Sequence, residues 1–273
     1  MNNNDMKDYI ASLLNKDLRE DGRKLLEYRK PIKIELNISK NAEGSARVIM
    51  GETEVIAGVK MNVGEPFPDT PEDGILITGA ELLALSSPEF ELGPPDAQTT
   101  EVARIIDRGV RESGMIDLKK LCIKRGELVW IIFLDLYTIN DQGNLIDAGA
   151  LASVAALLNT VLPKLKDNKV LFGEHTKEKL PVVNSNIPVT CTIIKIGDKF
   201  VVDPTAKEEK VSDSRFTIAI SEKEHIHALQ KGGSKGVTEQ DIDKMIDIAS
   251  SKAKELRKVL PGKWNLQNMK KQE

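Results

Sequence analysis

The chain has 273 residues, of which 40% are apolar, 30% charged and 4% aromatic, and its formal net charge is −3. This is the composition of an ordinary globular protein, long enough for two modest domains or one large one. A charge this small excludes a globally basic nucleic-acid binder, so such a site must be a local patch; so few rings argue against a base-stacking surface of the RRM or OB type.

The opening residues "MNNNDMKDYI" carry no basic n-region and no apolar h-region, so no secretory signal is expected and the setting is expected to be cytoplasmic. No segment approaches the ~20 apolar residues of a membrane span. Ile10, Leu13, Leu14 and Leu18 fall at helical spacing and predict an amphipathic helix over 6–18. "REDGR" then turns around Gly22. "IKIELNIS" alternates like a half-buried strand, and "SARVIMGETEVIAGVKM" reads as a hairpin with Gly51 at its tip. Two irregular stretches, "NVGEPFPDTPEDG" and "SSPEFELGPPD", flank the strand-like "ILITGAELL". "TTEVARIIDRGVRESG" predicts a helix with a Thr cap and Gly114 at its end. A hairpin around Gly126, "LKKLCIKRGELVWIIFLDLYTIN", leads into a nearly uncharged helix from about 147 to Leu162, where Pro163 stops it.

After a charged, Pro-containing stretch, "PVTCTIIKIGDKFVVDPT" pairs around Gly197-Asp198 and "SRFTIAIS" adds a strand. A long last helix lines up Ile242, Met245, Ile246, Ala249, Ala253, Leu256 and Leu260. The order of elements predicts an α+β (α/β-type) fold of two β-α units with mixed sheets packed against helices. The divisions fall at 1–30 (helix and turn), 31–165 (first domain), 166–187 (linker), 188–262 (second domain) and 263–273 (tail). Cys122 and Cys191, the only cysteines, read as free thiols.

Three features bear on chemistry. A strand-to-helix junction favours an anion at the helix start. Yet Ala148, Gly149, Ala150 and Leu151 supply no cation or hydroxyl, which reads as close helix packing. Arg104, Arg108 and Arg111 lie on one helical face, opposite Val102, Ile105, Ile106 and Val110. They suit successive phosphates, and equally suit ion pairs with Glu101 and Asp107. "HIH" at 225–227 lacks an evident third metal ligand and reads as a charged loop.

Taken together, "REDGR", "GSARVIMGETEVIAGVK", "TEVARIIDRGVRESG", "LVWIIFLDLYTINDQGNLIDAG" and "VVDPTAKEE", in this order, resemble the RNase PH family of phosphate-dependent exoribonucleases. The likeness is strongest to the non-catalytic RNase PH-like subunit of the archaeal exosome. It implies an RNase PH-like fold and a three-plus-three hexameric ring with the catalytic RNase PH-like subunit. It also implies single-stranded RNA threaded through that ring and RNA-binding cap subunits on it. Active members hold phosphate with Gly-Ser-Arg or Gly-Thr-Arg; here Ala150 and Leu151 replace the hydroxyl and the guanidinium, so the cradle is lost. No Lys or Arg occurs from Met61 to Ala103, where active members carry a basic RNA loop, and Glu65, Asp69, Glu72 and Asp73 stand there instead. Asp203 matches the first of two family carboxylates; Glu208 and Glu209 lie near the second, out of register, and the segment reads as a solvated turn.

The resemblance therefore implies no catalytic residue, metal or cofactor in this chain, with phosphate and Mg²⁺ acting at the partner's site. Arg104, Arg108 and Arg111 are the expected RNA contacts. Two alternatives stand beside this reading: an independent phosphorolytic enzyme with a displaced cradle, and a purely structural spacer.

Overall fold

The computed structural model describes residues 3–261; the expected tail at 263–273 lies outside them. Helix α1 (Asn3–Leu14) buries Ile10 and Leu14 against Ile194, Ile196, Val201 and Val211, so the N-terminus packs on the second half of the chain. It ends before the expected Leu18, which is exposed beyond Asp17 at positive φ.

The first sheet holds β1 (Ile32–Leu36), β2 (Gly44–Met50), β3 (Thr53–Gly64), β4 (Ile75–Glu81), β5 (Cys122–Lys124) and β6 (Leu128–Asn140). Its order is β1-β2-β3-β6-β4, with β5 also on β6; β4 runs parallel to β6 and the other pairs are antiparallel. The alternating burial of β3 is that of a strand with one face in the core. Helices α2 (Ala97–Ser113) and α3 (Leu145–Asn159) follow β4 and β6. The second sheet, β10-β9-β11-β12, is antiparallel throughout: β9 (Val189–Ile196), β10 (Lys199–Val202), β11 (Ser214–Ile220) and β12 (Ile226–Gly232). The short α4 (Ala206–Val211) precedes β11, and α5 (Glu239–Arg257), the last element among the described residues, buries Met245, Ala249, Ala253 and Leu256 as its stripe predicts.

Helix α3 is the centre of the molecule. Every residue from Leu145 to Leu157 is buried, and all but Asp147, Gly149 and Ser153 belong to one hydrophobic cluster that runs from the first sheet to the second. A helix apolar on all sides can exist only with neighbours on all sides. A Cβ on Gly149 would sit 2.9 Å from Ile106 Cδ1, so the glycine sets how closely α2 approaches.

The fold is the expected α+β arrangement, and it differs from the sequence reading in several elements. Helix α3 ends at Asn159, not near Leu162. Thr160 turns out extended, its hydroxyl donates to Ala156 O, and Val161 N–H donates to Glu43 O. The chain then forms β7 (Val161–Lys166) and β8 (Lys169–Lys179), a hairpin across the charged stretch, turning on Asp167 and Asn168 at positive φ. Pro163 sits where its register shifts, which suits a residue without an N–H. Helix α2 starts at Ala97, capped by Asp96 rather than a threonine. "HIH" enters a strand, β12, instead of forming a loop.

Candidate nucleic-acid interface

The start of α3 answers whether an anion can bind there. The helix begins at Leu145, so its first turn is Leu145-Ile146-Asp147, and Ala150 and Leu151 belong to the second turn. Both are nearly inaccessible, at 6% and 4% exposure, and face the core rather than a ligand. The helix end meets carboxylates from its own chain. Asn144, the N-cap, donates its backbone N–H to Glu209 Oε1 at 2.9 Å and its side-chain amide to Asp203 Oδ1 at 2.9 Å and Asp147 Oδ2 at 3.1 Å. The negative charge that a helix N-terminus favours is thus already present.

Asp203 is not in a solvated turn. It is fully buried at positive φ, and Arg29 grips it through Nη2 to Oδ1 (2.8 Å) and Nε to Oδ2 (3.0 Å), while Arg23 Nη1 adds a contact at 2.9 Å. Burial alone would raise its pKa; the Arg29 hydrogen bonds and charge outweigh it and leave Asp203 below its ordinary value. Glu208, also buried, is held by Arg19 (Nη2 to Oε2, 2.6 Å; Nε to Oε1, 2.9 Å) and closes a capping box with Thr205. The expectation of exposed carboxylates fails because their cationic partners come from residues 19–29, far away in sequence. By its sequence that segment reads only as a turn around Gly22.

Two other acids are pushed the opposite way. Burial raises Glu209 to about 7, against the Asn144 hydrogen bond. Burial raises Asp147 to about 6, against hydrogen bonds from Thr192 and Asn144. Asp147 Oδ2 also accepts from Tyr28 Oη at 3.3 Å, and Asp147 Oδ1 and Asn144 Oδ1 are buried without a partner. A proton on Asp147 converts one of these orphan acceptors into a donor.

Helix α2 presents the reverse situation. Asp96 Oδ1 caps it by accepting from Thr99 N–H at 2.7 Å, and Gly114 at φ 60 ends it. Val102, Ile105, Ile106 and Val110 are buried, leaving the arginines on the open side. The expected stripe divides. Arg104 and Arg108, both exposed, line a groove of about 440 Å³ between α2 and β12, with Thr100, Glu101 and Gln230. Arg108 Nη1 donates to Gln230 Oε1 at 2.8 Å. Arg111 is engaged elsewhere: Nη2 donates to Asp107 Oδ1 and Leu76 O, each at 2.8 Å. Glu101 pairs with Arg215 on β11, not with Arg104. Among the described residues Arg104 has no hydrogen bond or ion pair. Sequence reasoning missed Gln230 and Arg215, because β12 and β11 reach α2 only through the fold.

Elsewhere, Glu72 of the acidic loop pairs with Arg125 at the surface. His227 is half-buried, with Nε2 enclosed and unbonded, and burial lowers its pKa. No group of His, Cys, Asp and Glu among the described residues is arranged to hold a metal, and no helix among them is long and apolar enough to cross a membrane.

Fold and site together define the class. The model for the 3′ exoribonuclease family, domain 1 (RNase PH), matches residues 28–163, and that for domain 2 matches residues 186–252. The chain belongs to the RNase PH family of 3′ exoribonucleases. Within it, the chain is 46% identical over 251 residues to Exosome complex component Rrp42 of Methanosarcina acetivorans, covering 92% of this chain and 91% of that protein. A chain of the Archaeoglobus fulgidus exosome with RNA bound to the active site superposes with a TM-score of 0.85 at 42% identity, over 94% of this chain and 98% of that one. A chain of an archaeal exosome core gives a TM-score of 0.82 at 41% identity, over 94% and 96%.

Proposed function

We propose that this chain is a non-catalytic ring subunit of an archaeal exosome, a 3′-to-5′ exoribonuclease complex of the cytoplasm. It alternates with a catalytic RNase PH-like subunit in a hexameric ring, completes that partner's active site and helps hold single-stranded RNA, with RNA-binding cap subunits above. The observation that carries this reading is the contrast between two neighbouring helices. The start of α3 is filled by Asp203, Glu209 and Asp147, whereas Arg104 and Arg108 stand open on α2 in its groove with β12. A free phosphate at α3 would have to displace carboxylates that are hydrogen-bonded, two of them, Asp203 and Asp147, fully buried. An RNA phosphate at α2 meets guanidinium groups that are already solvent-exposed, at little desolvation cost. Phosphate and Mg²⁺ then act in the partner subunit.

The test is phosphorolysis of oligoadenylate with Mg²⁺ and phosphate by this chain alone, by the catalytic partner alone, and by the mixture, with light scattering on each. The isolated chain is expected to release no nucleoside diphosphate above a mock preparation, and the mixture to form a ring that does. Activity of the isolated chain supports instead an enzyme with a displaced cradle. A mixture no more active than the partner alone supports a spacer.

A further inference from the structure

Arg104 is exposed beside two carboxylates of its own groove, Asp96 and Glu101, and pairs with neither. Each is committed elsewhere. Asp96 caps α2 through the Thr99 N–H. Glu101, one helical turn before Arg104 and within ordinary reach of it, is drawn away by Arg215: the Nη2 to Oε1 distance is 2.5 Å. Arg215 belongs to the second sheet and reaches α2 by crossing its neighbouring strand at Gly232, its register partner on β12. A Cβ on Gly232 would lie 2.7 Å from Arg215 Nη2 and 3.0 Å from Cζ, so the crossing needs a residue without a side chain. Arg215 makes no other side-chain hydrogen bond among the described residues, and its Nε is buried and unbonded. Arg108, the second groove cation, is tethered by a neutral amide, Gln230, which orients it without cancelling its charge.

We infer that Arg215 is a positioning residue that sequesters Glu101 and so keeps Arg104 available to an RNA phosphate in the α2–β12 groove. This rests on the RNA-holding role proposed above. Without Arg215, Glu101 swings back to Arg104 along the helix, and the groove loses one uncompensated cation.

The experiment uses rings assembled with unaltered catalytic partner and fluorescent oligoadenylate titrated over a range of KCl concentrations. Arg104→Ala is the reference, expected to lower the magnitude of the salt slope by about 0.7 for one lost phosphate contact on a single strand. Arg215→Met is expected to weaken binding about two- to five-fold at low salt, the size of a surface ion-pair exchange, with a slope change towards that of Arg104→Ala. Glu101→Gln alone is expected not to weaken binding, and the Glu101→Gln, Arg215→Met double variant to regain at least the unaltered affinity and slope. A merely structural tie between the sheet and the helix predicts no such rescue. If Arg215→Met rings do not assemble, Gly232→Ala displaces the guanidinium without deleting it, and the same loss and the same rescue are expected. The inference is overturned if Arg104→Ala weakens binding while Arg215→Met does not, or if Glu101→Gln fails to rescue. If Arg104→Ala itself changes nothing, the RNA role of the groove falls and this inference falls with it.

Discussion

Helix α3 starts among Asp203 and Asp147, both fully buried, and the half-buried Glu209, while α2, packed against it at Gly149, turns Arg104 and Arg108 to an open groove. The difference lies in what balances the charge. At α3 the balance is internal: Arg29 and Arg23 hold Asp203, and the helix end and Asn144 hold the rest. At α2 the arginines are left to solvent or to a ligand. A buried, internally balanced site resists gaining a ligand, because each group removed from its partner is left uncompensated in a low dielectric. An exposed cation loses little by exchanging water for phosphate. One chain can therefore hold a closed, internally balanced acidic site and an open cationic groove on neighbouring helices.

The most damaging way to break the α3 side is to remove its anion. Asp203→Ala leaves Arg29 and Arg23 facing one another without their carboxylate. A loss of about 3–5 kcal/mol in unfolding free energy is expected, as for one partner of a buried ion pair. Urea unfolding of the full chain measures it. A loss below about 1 kcal/mol would mean that solvent reaches the site, and the contrast with α2 would then collapse.

How much of this contrast was legible in the sequence depends on the distance over which each part is held. Strand alternation in "IKIELNIS", the hairpin at Gly51, Gly114 at the end of α2 and the apolar stripe of α5 are local patterns, and each appears where expected. The packed character of Ala150 and Leu151 was legible too, because residues without hydroxyl or charge can do little else. Asp203 was misplaced because what decides its environment is Arg29, 174 residues earlier. The split of the arginine stripe was equally hidden: periodicity puts Arg104, Arg108 and Arg111 on one face, but Gln230 and Arg215 decide which of them stays open. β8 escaped notice because its exposed residues show no strand alternation, and α4 because it is a short helix made by a capping box.

Protonation sharpens the comparison on a smaller scale. Asp147 titrates in the folded chain at about 6, well above its ordinary 3.8. The sign follows from linkage. The native state holds this proton more tightly than the unfolded chain. The group's contribution is therefore fully present below about pH 4, declines as pH rises, and is gone above about pH 6. The amount is on the order of 2–3 kcal/mol. Glu209, raised to about 7, adds a decline in the same direction. Asp213 and Asp241, both lowered to about 2, act oppositely and lose stability only as pH falls below about 4. The Asp147 term is isolated by subtraction. Unfolding free energies of the unaltered chain minus those of Asp147→Asn, measured at pH 4, 5, 6 and 7, should fall across that range and level off. Parallel profiles would show that Asp147 is ionised and solvated, and the start of α3 would no longer be a closed site.

The smallest effect tests α2 against itself. Arg111 shares a helical face with Arg104 and Arg108 in the sequence, but it is paired with Asp107 four residues before it, and Asp107 also takes the Thr78 hydroxyl at 3.0 Å. The Arg111 side chain is 41% exposed and that of Asp107 25%, so solvent screens the pair. Its loss in Arg111→Ala is worth roughly 0.3–0.5 kcal/mol by the usual value for such helical neighbours, with a little more from the hydrogen bond to Leu76 O. In assembled rings the variant should bind RNA with an unaltered salt slope, since a guanidinium already neutralised releases no counterion from a phosphate. Arg104→Ala should change that slope. If Arg111→Ala lowers the slope as much as Arg104→Ala does, the Asp107 pair opens when RNA arrives. The cationic surface of α2 would then run the whole length of the stripe and not end at the groove.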